Sequence, residues 1–126
     1  MTTNMHKRFK IALVNTANNL IEHGQITTRL ALAKKVRPFL EKQITRAKEK
    51  SVHNFRILNS RLKNKLAVQK LINDVAPNTS NTGGYLSITK CGFRYGDCAP
   101  MAIIKIISKN TLSKKTAGKK WNQKQQ

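Results

Sequence analysis

The sequence predicts a two-layer α+β domain followed by a basic C-terminal tail. Apolar residues recur at three- and four-residue spacings through residues 9–75, which is typical of amphipathic helices. Two β-prone segments then follow a polar connector rich in Asn, Thr, Ser and Gly. Helical stripes packed on one face of a small sheet form a single core, and 126 residues suffice for one such domain. The predicted order is helix, short strand, about three helices and two strands.

The first helix is predicted from an apolar series that ends shortly before Gly24, a residue suited to the left-handed conformation that stops helices. The series shares one helical face: Phe9, Ala12, Leu13, Thr16, Leu20 and Ile21. On the opposite face we expect Lys7, Lys10, Asn18 and Glu22. Residues 25–28 are short and β-branched, so they predict a brief extended segment, and Thr28 is suited to cap the next helix.

The second helix is the longest, and its apolar stripe comprises Leu30, Ala33, Val36, Leu40, Ile44 and Ala47. Pro38 lies inside it and is expected to bend or break it, because the proline ring removes one backbone donor. Ser51 is positioned to cap a third helix and Asn64 a fourth, and Pro77 is expected to end the fourth.

The C-terminal part of the domain predicts two strands, within residues 85–89 and 102–107. Residues 91–100 between them are too many for a tight hairpin. We expect Phe93 to pack into the core, with Arg94 and Tyr95 turned outward. Lysines replace apolar residues after Ser108. We therefore assign 1–109 to the domain and 110–126 to a basic tail that is disordered when free.

The charge balance predicts a polyanionic partner. Against 25 Lys and Arg there are five Asp and Glu, which gives a net charge of +20. Such a charge on a small body is expected where a polyanion neutralises it, with nucleic acid first and an anionic membrane surface second. Mean hydropathy is −0.50 and no apolar run approaches the roughly 18 residues of a spanning helix. We therefore exclude an integral membrane protein and, with nucleic acid as the first candidate, predict no membrane partner.

The residues available for catalysis argue against an enzyme. The five acids and three histidines are scattered, and no two acids are spaced to pair locally. Cys91 and Cys98 have no second cysteine pair or nearby histidine, so we predict reduced thiols rather than a zinc site or a disulfide. No cofactor, metal or small-molecule substrate is predicted. Neither an export signal nor an import presequence is visible.

The candidate RNA contacts are Lys and Arg residues in segments with few acidic residues, above all on the second helix. Such cations bind phosphates and thereby release the counterions condensed on RNA. In the loop after Lys90, Arg94 is suited to clamp a phosphate and Tyr95 to stack on a base. The predicted RNA-binding residues are Lys7, Arg8, Lys10, Arg29, Lys34, Lys35, Arg37, Arg46, Lys48, Arg56, Arg61, Lys63, Lys90, Arg94, Tyr95, Lys114, Lys115, Lys119 and Lys120.

Two stretches of the chain resemble the bacterial-type large-subunit ribosomal protein family seventeen. The first is residues 83–102, which contain Gly-Gly-Tyr and Cys-Gly-Phe-Arg-Tyr-Gly-Asp-Cys-Ala-Pro-Met-Ala. The second is residues 20–48, which contain Glu-His-Gly-Gln-Ile-Thr-Thr. The resemblance implies a structural protein of the large ribosomal subunit that binds its rRNA. It also implies a place near the polypeptide exit region, beside ribosomal protein family thirty-two. The alternative is a basic DNA-binding architectural protein, which would need a recognition helix and a dimer face that the sequence does not display.

The chain also departs from this family. Only Thr2 to Lys7 precede the first helix, where members usually carry a longer basic arm. Asn78 and Ser87 stand where the family tends to have Arg, so those phosphate contacts are not expected. The short arm and the abundance of Asn, Lys and Ile favour a mitochondrial ribosome, and hence the mitochondrial matrix, over a bacterial cytoplasm.

Overall fold

The computed structural model describes residues 2–108, with side chains from residue 4 onward. The predicted tail, 110–126, lies outside the described residues. The elements are α1 (Thr2–His23), β1 (Gln25–Arg29), α2 (Leu30–Lys48), α3 (Val52–Leu62), α4 (Lys65–Lys70), α5 (Ala76–Asn78), β2 (Leu86–Phe93) and β3 (Pro100–Ile106). A π-helical segment, Leu71–Val75, joins α4 to α5. This arrangement confirms the predicted α+β class and the predicted order of elements.

The three strands form one antiparallel sheet in the order β1-β3-β2. Ile104 of the central strand is paired with Ile26 on one side and Ile88 on the other. Alternate residues of β3, Ala102, Ile104 and Ile106, are buried, since successive side chains of a strand point to opposite faces. The helices cover this face, and the core lies between the two layers.

The apolar face of α1 packs as predicted in its C-terminal half, where Leu20 and Ile21 are fully buried. The helix begins at Thr2, so the expectation that Thr2 to Lys7 precede it is wrong. Gly24 takes φ +75° and ends the helix. The placement of Asn18 on the solvent face is wrong, because its side-chain amide is half-buried and donates to the carbonyl of Leu62 at 2.9 Å. The bond joins α1 to the end of α3.

Helix α2 runs through Pro38 without a break, so of the two expected outcomes, a bend or a break, the break does not occur. Pro38 is exposed, and the buried residues Val36 and Leu40 on either side hold both halves of the helix on the core. Their burial outweighs the single backbone hydrogen bond that proline removes. Thr28 is not the cap either, because β1 continues to Arg29, which occupies the N-cap position without a side-chain hydrogen bond.

Of the caps predicted for the next two helices, the one for α4 is confirmed and the one for α3 makes no side-chain hydrogen bond. The Asn64 side chain accepts hydrogen bonds from the backbone of Leu66 and Ala67, which confirms it as the cap of α4. Ser51 precedes α3 but makes no side-chain cap bond. The helical run that starts with α4 ends at Asn78, one residue beyond Pro77 and close to the predicted end.

The β2–β3 hairpin is longer than predicted, and the burial expected for Phe93 is wrong. β2 runs past a bulge at Cys91 to Phe93, which leaves residues 94–99 as the connection. Phe93 is 77% exposed. It pairs with Pro100, two residues beyond Ala102, the first buried residue of β3, so it lies past the end of the core. Arg94 and Tyr95 are exposed, as expected.

Candidate nucleic-acid interface

Charge is divided unevenly along the chain. Residues 1–70 contain 16 Lys and Arg against three acids, whereas residues 71–104 contain two of each. The remaining seven cations, with no acid, fall in residues 105–126. Because residues 1–70 form α1 to α4 together with β1, the helical layer carries most of the positive charge of the described residues.

Helix α2 separates its cations from its apolar stripe. Lys34, Lys35 and Arg37 are exposed, while Ala33, Val36, Leu40, Ile44 and Ala47 are buried. Arg37 is partly neutralised, since its Nε lies 3.3 Å from the carboxylate of Glu41 one turn later. Lys35 Nζ lies 5.6 Å from the centre of the Phe9 ring, and neither lysine is paired with an acid among the described residues. The lysines thus present positive charge on a rigid element, which is the arrangement that favours phosphate binding.

Lys48 makes contacts within the protein that the sequence did not predict. Its Nζ lies 4.5 Å from the centre of the Tyr85 ring and donates to the carbonyl of Asn81. The Thr45 hydroxyl donates to the Tyr85 hydroxyl at 3.4 Å and lowers the pKa of the phenol, with Lys48 acting in the same direction. Lys48 therefore ties the connector before β2 to α2, and only part of its side chain is accessible.

Three predicted contacts meet in a cleft between α1 and the end of α3. Lys7, Lys10 and Lys63 line a cavity of about 300 Å³ whose wall is apolar on the side of Ile11 and Val14. Lys63 is held there by a left-handed backbone, φ 55°, that ends α3. The fold therefore brings together cations that lie more than 50 positions apart in the sequence.

A second cleft, of about 450 Å³, lies between α2 and the connector around Gly83. Lys42 and Arg46 both line it. Arg46 is a predicted RNA contact. Lys42 is not among the predicted contacts, although it is exposed and follows the same charge pattern.

The arginine of the hairpin connection is paired with a carboxylate through two contacts. Arg94 pairs with both carboxylate oxygens of Asp97, with Nε 3.0 Å from Oδ1 and Nη2 on Oδ2. Asp97 also accepts the backbone N–H of Ala99 at 3.2 Å. The guanidinium fork predicted to clamp a phosphate is thus already engaged by a carboxylate, although its RNA contact stays a prediction.

The pairing makes Asp97 a probe of the hairpin connection. The hydrogen bond from Arg94, followed by that from Ala99, lowers the pKa of Asp97 from 3.8 to about 2. Arg94→Ala is expected to raise this pKa toward 3.8, measured by NMR titration of the side-chain carboxyl. A carboxyl group whose pKa is lower in the folded state stabilises the fold at pH values above its pKa in the unfolded state. The contribution of Asp97 is therefore lost as the pH falls through its folded-state pKa of about 2. Arg37→Ala, which removes the other paired arginine, should leave Asp97 unchanged; an unaltered titration in Arg94→Ala would contradict the assignment.

Metal and membrane sites find no support in the part of the chain that the structure describes. Cys91 and Cys98 are exposed free thiols. No cluster of three or more His, Cys, Asp and Glu residues able to hold a metal occurs within residues 2–108. None of the helices in that range is long and apolar enough to cross a membrane.

Similarity to known proteins decides the family. The model of the family described as ribosomal protein L17 matches residues 12–107. The chain belongs to the ribosomal protein L17 family. It is 50% identical over 103 residues to large ribosomal subunit protein bL17 of Orientia tsutsugamushi (strain Ikeda), covering 81% of this chain and 71% of that protein. It is 44% identical over 115 residues to the bL17 protein of Dinoroseobacter shibae, covering 90% and 83%.

The L17 match spans β1, α2 and the complete hairpin, so it confirms the resemblance predicted from those segments. Members of the L17 family are structural constituents of the large ribosomal subunit and not enzymes, which agrees with the scattered acids and histidines. The alternative of a DNA-binding architectural protein is not supported by these relatives, which are all bacterial bL17 proteins.

Proposed function

We propose that this L17-family chain binds large-subunit rRNA through the outward faces of α1 to α4 and thereby stabilises the large ribosomal subunit. The observation that carries this proposal is the excess of 16 cations over three acids in residues 1–70. The helices turn their apolar sides to the core, so the cations remain available to phosphates. Each phosphate contact releases condensed counterions, which supplies affinity without reading bases.

The proposed contacts are the predicted cations of the helical layer and β1, all of them exposed except the half-buried Arg46 and Lys48. They are Lys7, Arg8, Lys10, Arg29, Lys34, Lys35, Arg37, Arg46, Lys48, Arg56, Arg61 and Lys63. We add Lys42 from the second cleft. Lys114, Lys115, Lys119 and Lys120 of the tail lie outside the described residues, and we propose that they extend the same RNA contact.

Two finer features of the proposal rest on the family resemblance. One is a position near the polypeptide exit region, and the other is contact with ribosomal protein family thirty-two. Cross-linking within purified large subunits would identify the neighbouring protein. Recovery of another neighbour in its place would remove this part of the proposal and leave the rRNA binding intact.

We further propose a mitochondrial ribosome as the location. The support is compositional, namely the abundance of Asn, Lys and Ile, which is typical of AT-rich genomes. The relatives described above are bacterial, so the two locations must be separated by experiment. Detection of the protein in ribosomes of purified, protease-treated mitochondria supports the organelle, and detection in a bacterial cytoplasm overturns it.

Sedimentation tests the main function. The protein is expected to migrate with the large subunit in a sucrose gradient and to remain there after a moderate salt wash, because neighbouring components retain it in addition to its own phosphate contacts. A DNA-binding protein or a loosely associated basic protein would leave in the wash. Recovery of most of the chain in the free or DNA-bound fractions would overturn the proposal.

A further inference from the structure

We infer that the hairpin tip, residues 91–100, docks onto a neighbouring protein, in place of the rRNA contact predicted from the sequence for Arg94 and Tyr95. This inference rests on the proposed function, because it takes the large subunit as the setting. The commitment is to one kind of partner, a weakly charged protein surface with an apolar pocket. Charge, local geometry and exposed aromatic area support it.

The charge of the tip differs from that of the helices. The tip has one cation and one acid, Arg94 and Asp97, and the two cations of the flanking strands, Lys90 and Lys105, lie outside it. A surface without net positive charge releases few counterions on meeting phosphates, so it gains little from rRNA. The charge pattern therefore favours a partner that is not a polyanion.

The tip also uses its one cation internally. The bidentate contact between Arg94 and Asp97 occupies the fork that would otherwise engage a phosphate. Backbone bonds from Arg94 to the Ala99 carbonyl at 2.8 Å and from Cys98 to the Arg94 carbonyl at 3.0 Å close the connection. The tip is thus held in one shape, so binding it to a partner costs little conformational entropy.

Two large aromatic side chains project from this ordered connection. Phe93 is 77% exposed and Tyr95 is fully exposed. Tyr85, by contrast, is fully buried in the core. Rigid aromatic residues near the centre of a contact are typical of protein interfaces, where they fill pockets and dominate the affinity. Base stacking in RNA-binding proteins instead accompanies a positively charged groove that follows the backbone, which the tip does not provide.

A photo-cross-linking amino acid at position 93, in large subunits that contain the full chain, tests this directly. The expected product is a protein–protein adduct that survives ribonuclease and disappears with protease. The control is the same amino acid at position 9, because Phe9 is 40% exposed on the basic α1. Position 9 is expected to form an adduct with rRNA, which ribonuclease removes.

The two positions separate the two hypotheses. An rRNA adduct at position 93 together with one at position 9 overturns the docking inference and leaves the proposed function standing. Failure of position 9 to reach rRNA counts against the proposed function. An adduct at position 93 with a second copy of this chain, or no adduct there, also overturns the inference.

Substitution gives an independent readout. Phe93→Ala combined with Tyr95→Ala is expected to speed release of the protein from large subunits roughly 30-fold, as for two aromatic residues that dominate an interface. Its affinity for naked rRNA fragments should stay within about twofold, since no cation is removed. Circular dichroism verifies that the variant is folded. Equal losses on naked rRNA and on subunits would assign the tip to RNA.

Discussion

The affinity of this protein for isolated rRNA fragments is expected to fall about 10³–10⁵-fold between 50 and 200 mM salt. This is the response of a surface that makes roughly 6–10 phosphate contacts, and the exposed cations of α1 to α4 are numerous enough to supply them. Filter binding or fluorescence anisotropy over that range measures the slope. Fragments are preferred to whole subunits, where neighbouring molecules trap the protein whatever the salt.

A paired set of variants identifies the surface responsible. Lys34→Gln with Lys35→Gln removes two exposed cations of α2 and should make the logarithmic salt slope shallower by about 1.5. Lys105→Gln removes a charge from β3, which lies outside the proposed contacts, so it should leave the slope nearly unchanged. Equal effects per charge removed in the two variants would show that total charge, and not the α2 face, governs binding. A flat salt response of the original protein would contradict the electrostatic mechanism itself.

The order of helices and strands could be predicted because their spacing patterns are local. The stripe from Ala33 to Ala47 required only the 3.6-residue period, and every interior member of it is buried. Gly24 and Asn64 act at the predicted ends of helices, because a left-handed stop and an Asx cap depend on a few adjacent residues.

The caps expected at Thr28 and Ser51 were local errors, whereas two other errors occurred where the outcome depends on distant elements. Whether Phe93 is buried depends on how far the helical layer extends beneath the hairpin, and the alternation within one strand carries no such information. The continuity of α2 through Pro38 likewise depends on packing against the sheet and on other helices.

The same distinction applies to the candidate site. Cations of the site could be predicted as a class from the shortage of acids, but their internal partners could not all be foreseen. The engagement of Lys48 by Tyr85 joins residues 37 positions apart and needs the folded chain. The pairing of Arg94 with Asp97, three residues later in a turn, lay within reach of the sequence.

The free energy of unfolding is expected to fall by about 3–5 kcal/mol in Tyr85→Ala, which would leave a domain of this size marginal at best. Tyr85 is among the largest fully buried side chains and packs where β2 begins against α2. Its removal leaves a cavity and deprives Lys48 of the ring it lies over. Urea denaturation of the free protein, followed by circular dichroism, measures the loss.

Two further variants separate packing from hydrogen bonding and from aromatic size alone. Tyr85→Phe keeps the ring and loses the contacts of the hydroxyl with Thr45 and Lys48, so the expected loss is about 0.5–1.5 kcal/mol. Phe93→Ala deletes a ring of similar volume from the exposed hairpin tip and should cost no more than about 0.5 kcal/mol. If Phe93→Ala and Tyr85→Ala destabilise the protein equally, the tip is packed in solution. The aromatic surface on which the docking inference depends would then not exist in the free protein.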